Sequence, residues 1–383
     1  MKLAGVGAVL LLATVGARVA PVPEAQRSAE QQSIAARFAT AGMPNAVGAY
    51  LNHPTLAQAI LPNEQYVSRE STLSPRHRAL VNLRTAWLAH SNYLWAHHAE
   101  AARQSGMTSA ELTRIARGPD AKGWDTFEIS VLRAADELHV DSFVSDATWG
   151  SLAARYDTNQ LIDLVYGAGD VTMHAGAINS LGVQIEPGFR DRLPSGITYT
   201  VGAARTNVRL LGREPRIPPV EAATGRANGN VFRTFVRNPP ADRLRGAVTT
   251  HIRNGTTLPP RYRELLLMRI GALCRSEYEW AAHSRIGRQT GMTDAEVERI
   301  ASAPAVTSDP VEAALLHAAD ELYQDDRVSN ATWAALAKVF DTKQLLDVLI
   351  AVGGYRTVSM AINSAGVQLD ANMADFRFPA SVR

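Results

Sequence analysis

The chain is written twice, and this duplication limits its fold more than any other feature. The segment PRHRALVNLRTAWLAHSNYLWAHHAEAARQSGMTSAELTRI begins at Pro75. It pairs without a gap with PRYRELLLMRIGALCRSEYEWAAHSRIGRQTGMTDAEVERI, which begins at Pro260, and about half of the paired positions are identical. The match extends upstream, where NAVGAYLNHP (Asn45 to Pro54) aligns with NVFRTFVRNP (Asn230 to Pro239). Downstream, AADELHVDSFVSDATW aligns with AADELYQDDRVSNATW and, after a one-residue gap, AINSLGVQIE with AINSAGVQLD. Each unit is as long as a domain, longer than a solenoid repeat, so a whole domain has been duplicated. The 383 residues suffice for two domains with their own cores. The division expected is a leader over 1–20, a first repeat over 28–195, a Pro-, Gly- and Arg-rich linker over 196–219, and a second repeat over 220–383.

Each copy reads as helical. After Pro259-Pro260, the apolar residues Leu265, Leu266, Met268 and Leu273 recur at helical spacing. Other helix starts carry Ser, Thr or Asp with Glu or Gln three residues on: Thr108 with Glu111, Asp157 with Gln160, Thr293 with Glu296, Asp341 with Gln344. In that arrangement the two side chains satisfy backbone N–H groups that the first helical turn leaves unpaired. The last long helix of each copy is apolar on most sides, so it belongs between others. Strand-like alternation is almost absent. The expected fold is all-α, two tandem helical domains forming a pseudo-dimer.

Composition removes several functions. The formal charge is +2, with no basic stripe, so nucleic acid is excluded as a partner. One cysteine, Cys274, cannot form an intrachain disulfide or a Cys-x-x-Cys redox pair, and reads as a small buried hydrophobe. At the N-terminus, Lys2 precedes an apolar run from Leu3 to Val15, then small residues at Val15-Gly16-Ala17 and again at Ala20. The run is shorter than the ~20 residues a membrane helix needs. It fits a cleavable secretory leader, against the alternative of an N-terminus with no targeting role. Location follows: secreted or in the secretory pathway with a leader, cytoplasmic without one. No later segment is expected to span a membrane.

The chemistry concentrates in the second copy. SEYEWAAH (Ser276 to His283) places Glu279 and His283 one helical turn apart on one face. A carboxylate beside an imidazole is a proton-transfer pair. Glu264 lies on the preceding helix, and a tight hairpin would return it toward His283. The first copy keeps His98 but has Leu94 and Ala79 in place of the two carboxylates, as if released from a shared duty. A second reading stands beside this one: Ser276-x-x-Glu279 is also a capping box, worth ~0.5–2 kcal/mol and no chemistry.

The pattern PPRYREL, then EYEWAAH, then GMTDAEVERI, resembles the carboxymuconolactone decarboxylase / alkylhydroperoxidase D superfamily. The resemblance covers residues 30–190 and 220–375. It implies an all-helical fold with sites at subunit interfaces of trimers or hexamers. A tandem chain then looks like a linked dimer, and a homo-oligomer, a trimer of such chains, is expected. The peroxidase branch's glutamate and histidine fall on Glu264 and His283, but its two cysteines fall on Ser276 and Glu279. Thiol peroxidase chemistry is therefore not expected, since it needs a thiolate. The lactone decarboxylase branch requires no cysteine. The resemblance implies a cofactor-independent decarboxylase-like or isomerase-like enzyme with Glu279, His283 and Glu264 catalytic, acting on a small carboxylated, lactone or enolisable substrate. The alternative is a non-catalytic oligomerising or ligand-binding scaffold.

Four further residues are candidate substrate contacts. Tyr278 and Trp280 shape a pocket or pack in the core. Tyr355 and Arg356, on the last helix, either hold a substrate carboxylate through the arginine fork, or Arg356 forms a surface ion pair. No cofactor and no metal are expected, since His97 and His98 leave different helix faces and His90 has no matched carboxylate near it.

Overall fold

The computed structural model describes residues 16–39, 42–198, 214–221, 229–302 and 306–379, so residues 1–15 of the expected leader lie outside the described residues. Among the described residues there are helices and no strand, as expected. The first half runs α1 (Ala29–Arg37), α2 (Pro44–Tyr50), α3 (Pro54–Gln65), α4 (Pro75–Leu88), α5 (Asn92–Gln104), α6 (Ser109–Arg117), α7 (Thr126–Asp141), α8 (Asp146–Ala153) and α9 (Thr158–Leu181). The second half repeats it from α2 onward: α10 (Asn230–Phe235), α11 (Pro239–Thr250), α12 (Pro260–Leu273), α13 (Glu277–Gln289), α14 (Asp294–Ala301), α15 (Pro310–Asp325), α16 (Asn330–Leu336) and α17 (Thr342–Ala365).

Local sequence explains the helix starts. The capping boxes of Thr108, Asp157, Thr293 and Asp341 are all formed. Ser28 with Gln31 and Asp125 with Glu128 add two more. Pro54, Pro75, Pro239 and Pro260 open their helices, where a missing N–H costs nothing. A π-helical turn follows both α3 and α11 (Tyr66–Glu70 and His251–Gly255). Pro62 lies inside α3, but α11 makes the same turn with Ala247 there, so the proline is not its cause.

Tertiary pins are duplicated too. Arg84 binds Asp136 and the carbonyls of Ile115 and Ala116, while Arg269 binds Asp320 and the carbonyls of Ile300 and Ser302. His90 and Arg275, at equivalent positions, both take left-handed backbone (φ 50° and 52°) and fold α4 onto α5 and α12 onto α13.

The two halves join about a pseudo-twofold axis, chiefly where α9 crosses α17. Gly169 lies against Thr357, and Gly353 against Met173; a Cβ on either glycine would come within 3.0 Å of its neighbour. Reciprocal hooks lock this crossing. The Asn179 amide donates to Ala89 O and, across the axis, to Asp326 O; the Asn363 amide donates to Cys274 O and, across the axis, to Ser142 O. Ser180 Oγ accepts from Val328 N–H and Ser364 Oγ from Val144 N–H. The repeated AINS motif is thus the clasp between halves.

By length and composition α17 is apolar enough to cross a membrane, but 94 % of its most apolar window is buried within the protein, and a core helix passes the same test. Residues just ahead of position 20 take part in the fold. Arg18 N–H donates to Leu181 O, and its guanidinium reaches Ser180 O, Val328 O and Asn330 Oδ1 in both halves. Val19 is buried. A cut after Ala17 would spare these contacts, and a cut after Ala20 would not.

Candidate active site

The α12–α13 hairpin brings Glu264, Glu279 and His283 together. His283 Nδ1 is 2.7 Å from Glu264 Oε2, and His283 Nε2 is 3.4 Å from Glu279 Oε2. All three side chains are buried. Glu264 is held on its other oxygen by Arg263 Nε at 2.8 Å, and Arg263 in turn donates to Arg253 O in the π-helical turn. The cluster carries two carboxylates and two cations, so it is balanced in charge.

Burial opposes a charge on His283, but the adjacent Glu264 and Glu279 carboxylates outweigh it and carry its pKa up to about 9. For Glu264 burial likewise favours the neutral form, and His283 and Arg263 overcome it, leaving its pKa below the ordinary value. His283 is therefore an imidazolium at neutral pH, its Nδ1–H directed to Glu264 and its Nε2–H to Glu279. The Tyr355 ring meets the His283 ring edge-on at a centroid distance of 4.8 Å and closes one side of the cluster.

The capping alternative for Glu279 is not formed. Ser276 makes no side-chain cap bond, and its buried Oγ has no hydrogen-bond partner. Its twin Ser91, which lacks the glutamate, does accept from Leu94 N–H.

Three of the four candidate substrate contacts are committed elsewhere. Arg356 donates to Asp326 Oδ1 at 2.8 Å and to the carbonyls of Leu322 and His139, a buried ion pair where a surface one was the expected alternative. Trp280 stacks on Phe378 and donates to Arg377 O, and Tyr278 donates to Asp370 Oδ2 at 2.7 Å. Both anchor the C-terminal segment. Only Tyr355 borders the cluster.

In the first copy, His98 occupies the His283 position with no carboxylate beside it, and burial, then His97 and His174, push its pKa down to about 3. His97 instead pairs with Glu186 at 2.8 Å. His98 is neutral where His283 is charged.

One group of side chains has metal-ligand potential that sequence spacing did not reveal. His53, from the first half, and His251 and Asp347, from the second, bring ligand atoms within 4.8 Å of one another. Their chemistry fits a structural knot better. Asp347 Oδ2 already accepts from Thr257 N–H and Oγ1, and both ring Nδ1 atoms lack the partners that orient metal-binding histidines. Across the axis the same knot is tied without imidazoles: Asp163 accepts from Tyr66, Thr72 and Asn238. Tyr66 and Asn238 stand at the positions of His251 and His53.

An all-helical, internally duplicated domain with an acid–imidazole cluster on a helical hairpin defines the class of this protein. The model of the carboxymuconolactone decarboxylase family matches the chain twice, at residues 54–137 and 239–321. The chain thus carries two tandem copies of that family's domain. No curated protein matches it.

Proposed function

We propose that the second half is a cofactor-independent acid–base enzyme, decarboxylase-like or isomerase-like, working on a small enolisable or carboxylated substrate. The observation that carries this reading is the His283 imidazolium held between Glu264 and Glu279. In a decarboxylation the C–C bond to the leaving carboxylate breaks, and its electron pair passes to an enolate as carbon dioxide departs. A proton must then reach carbon. That proton starts on the His283 ring, passes from Nε2 to the Glu279 carboxylate over the longer and looser contact and from there to carbon, and solvent then recharges the neutral ring while Glu264 and Arg263 hold it. In an isomerisation the same carboxylate would take a proton from one carbon and return it to another.

The scaffold alternative keeps the cluster as a structural pin. Glu279→Gln separates the two: under the enzyme reading turnover of the folded variant falls at least ~10²-fold, the scale of a lost general acid–base group. Unchanged turnover, or loss of stability alone, would leave only the scaffold. Peroxide reduction is not part of the proposal, because Cys274 is buried and its thiol is pushed up to about 11 by that burial.

The proposal extends to location: a secreted protein trimmed after Ala17, so that Arg18 becomes the first residue. N-terminal sequencing of the exported protein checks this, and a start at Pro21 would contradict the docking of Arg18. We also propose a homo-oligomer of tandem chains, a trimer, to be read from the mass in solution.

A further inference from the structure

The π-helical turn of the second half carries a cation that the fold does not use. Its backbone is fixed on both sides by one buried carboxylate. His251 Nε2 lies 2.9 Å from Asp347 Oδ1, and Thr257 donates through N–H and Oγ1 to Asp347 Oδ2. Between them, Arg253 O accepts from Arg263, the same residue that holds Glu264. Arg253 itself is exposed, and among the described residues its guanidinium has no hydrogen-bond or ion-pair partner. An isolated π turn in a helical protein is frequently found at a functional site.

This turn seats on α17 beside the acid–imidazole cluster. Ile252 packs on the bare Cα of Gly354, where a Cβ would stand 2.9 Å from Ile252 Cδ1. The next residues along the two elements are Arg253 and Tyr355. Burial raises the Tyr355 pKa and Glu279 adds to that; Arg253 opposes both, ahead of the weaker influences of Glu264 and Arg263. The phenol therefore stays protonated, near Glu279 and Arg253. Its ring touches His283, yet its hydroxyl makes no hydrogen bond among the described residues. The Glu279 side chain is 6 % exposed against 1 % for Glu264, so an incoming molecule meets Glu279 first. The set is confined to this half. Ser68, Asp170 and Val171 stand at the positions of Arg253, Gly354 and Tyr355, and the Ser68 hydroxyl is spent on Glu64. Cation, seat and phenol are missing from the first half together with the two carboxylates.

We propose that Arg253 and Tyr355 recognise the substrate of the second half, a small keto acid with one carboxylate. Arg253 binds the carboxylate, which matches its planar fork. Tyr355 donates to the ketone oxygen, and that bond strengthens as the oxygen becomes an enolate. In the enolisation a C–H bond beside the ketone breaks, its proton passes to Glu279, and its electron pair moves toward the oxygen held by Tyr355. The role of Tyr355 rests on the acid–base reading of the cluster; that of Arg253 does not.

The test uses the full chain with 4-oxopentanoate and its neutral methyl ester. Calorimetry follows binding, and NMR follows enolisation as uptake of deuterium from heavy water beside the ketone. The keto acid should bind saturably and exchange, and the ester should bind at least tenfold more weakly. Arg253→Gln should weaken acid binding and raise KM at least tenfold, with kcat and melting temperature close to the parent's. Arg253→Lys should recover part of the loss. Tyr355→Phe keeps the ring against His283, so it should slow exchange at least tenfold while acid binding stays within threefold. Equal binding of acid and ester, acid binding within twofold in Arg253→Gln, or no saturable binding at all would each overturn the proposal. Exchange at the parent's rate in Tyr355→Phe would remove the phenol from it. Saturable, Arg253-dependent binding with no exchange in the parent would instead sink the acid–base reading and leave the role of Arg253 standing.

Discussion

Glu264 and His283 face each other across the α12–α13 hairpin at 2.7 Å, and the contact exists only because Arg275 takes a left-handed turn between the helices. The equivalent hairpin in the first half turns the same way at His90 and presents Ala79 to His98. One backbone thus carries an imidazolium in one half and a neutral imidazole in the other.

Stability should fall as alkalinity rises. His283 has a folded pKa of about 9 against 6.5 for the free side chain. Its contribution is therefore whole below pH 6.5 and is lost as pH rises through 9, an amount on the order of 3 kcal/mol. Denaturant midpoints of the parent and His283→Gln, compared from pH 6 to 10, should converge across that window. Parallel profiles would contradict the charged state assigned to the ring.

Removing Glu264 should be worse for the fold than removing Glu279. Glu264→Gln leaves Arg263 and His283 without their shared anion in a buried setting, a loss of ~3–5 kcal/mol. Glu279→Gln breaks only the longer of the two buried contacts and leaves the Glu264 partner in place, so its cost should be the smaller of the two. Equilibrium unfolding gives both numbers, and NMR titration should show the larger drop in the His283 pKa for Glu264→Gln.

Ser276→Ala should be close to neutral, because that hydroxyl caps nothing. Thr293→Ala, which breaks a formed capping box, should cost ~1 kcal/mol. Equal losses in thermal melts of the two variants would restore the capping reading of Glu279.

At the crossing of α9 and α17, Gly169→Ala would drive a methyl to 2.6 Å from Thr357 Cγ2 and 3.0 Å from its Cα. The expected cost is ~1–3 kcal/mol. Thr357→Ala on the same background should recover part of it, since only the side-chain clash is relieved. A fully tolerated Gly169→Ala would mean the helices part more easily than their packing implies.

The helices, their caps and the convergence of Glu264, Glu279 and His283 were legible because they rest on short-range spacing. A capping box needs three residues, and the cluster needs one helical turn and one hairpin. What escaped depends on contacts between halves. Arg356 meets Asp326 and His139 O only after α17 has docked, and His53 finds Asp347 from 294 positions away. Arg253 gave no signal because a lone arginine in a polar turn reads as solvated surface, and its place beside Tyr355 exists only once Ile252 has seated on Gly354. Ser276 failed as a cap although its spacing was right. Spacing permits a cap, but Glu279 lies beside His283 instead.

The AINS clasp has a further consequence. Each half grips the other with a matching pair of hooks, Asn179 and Ser180 on one side and Asn363 and Ser364 on the other, and Arg216 of the connecting segment adds bonds to Val144 O and Ser364 O. Two separately made polypeptides ending and starting between the repeats should find each other and rebuild the whole molecule. A protein that can be severed this way can also lend its two faces to different histories, one kept for chemistry and the other free to drift.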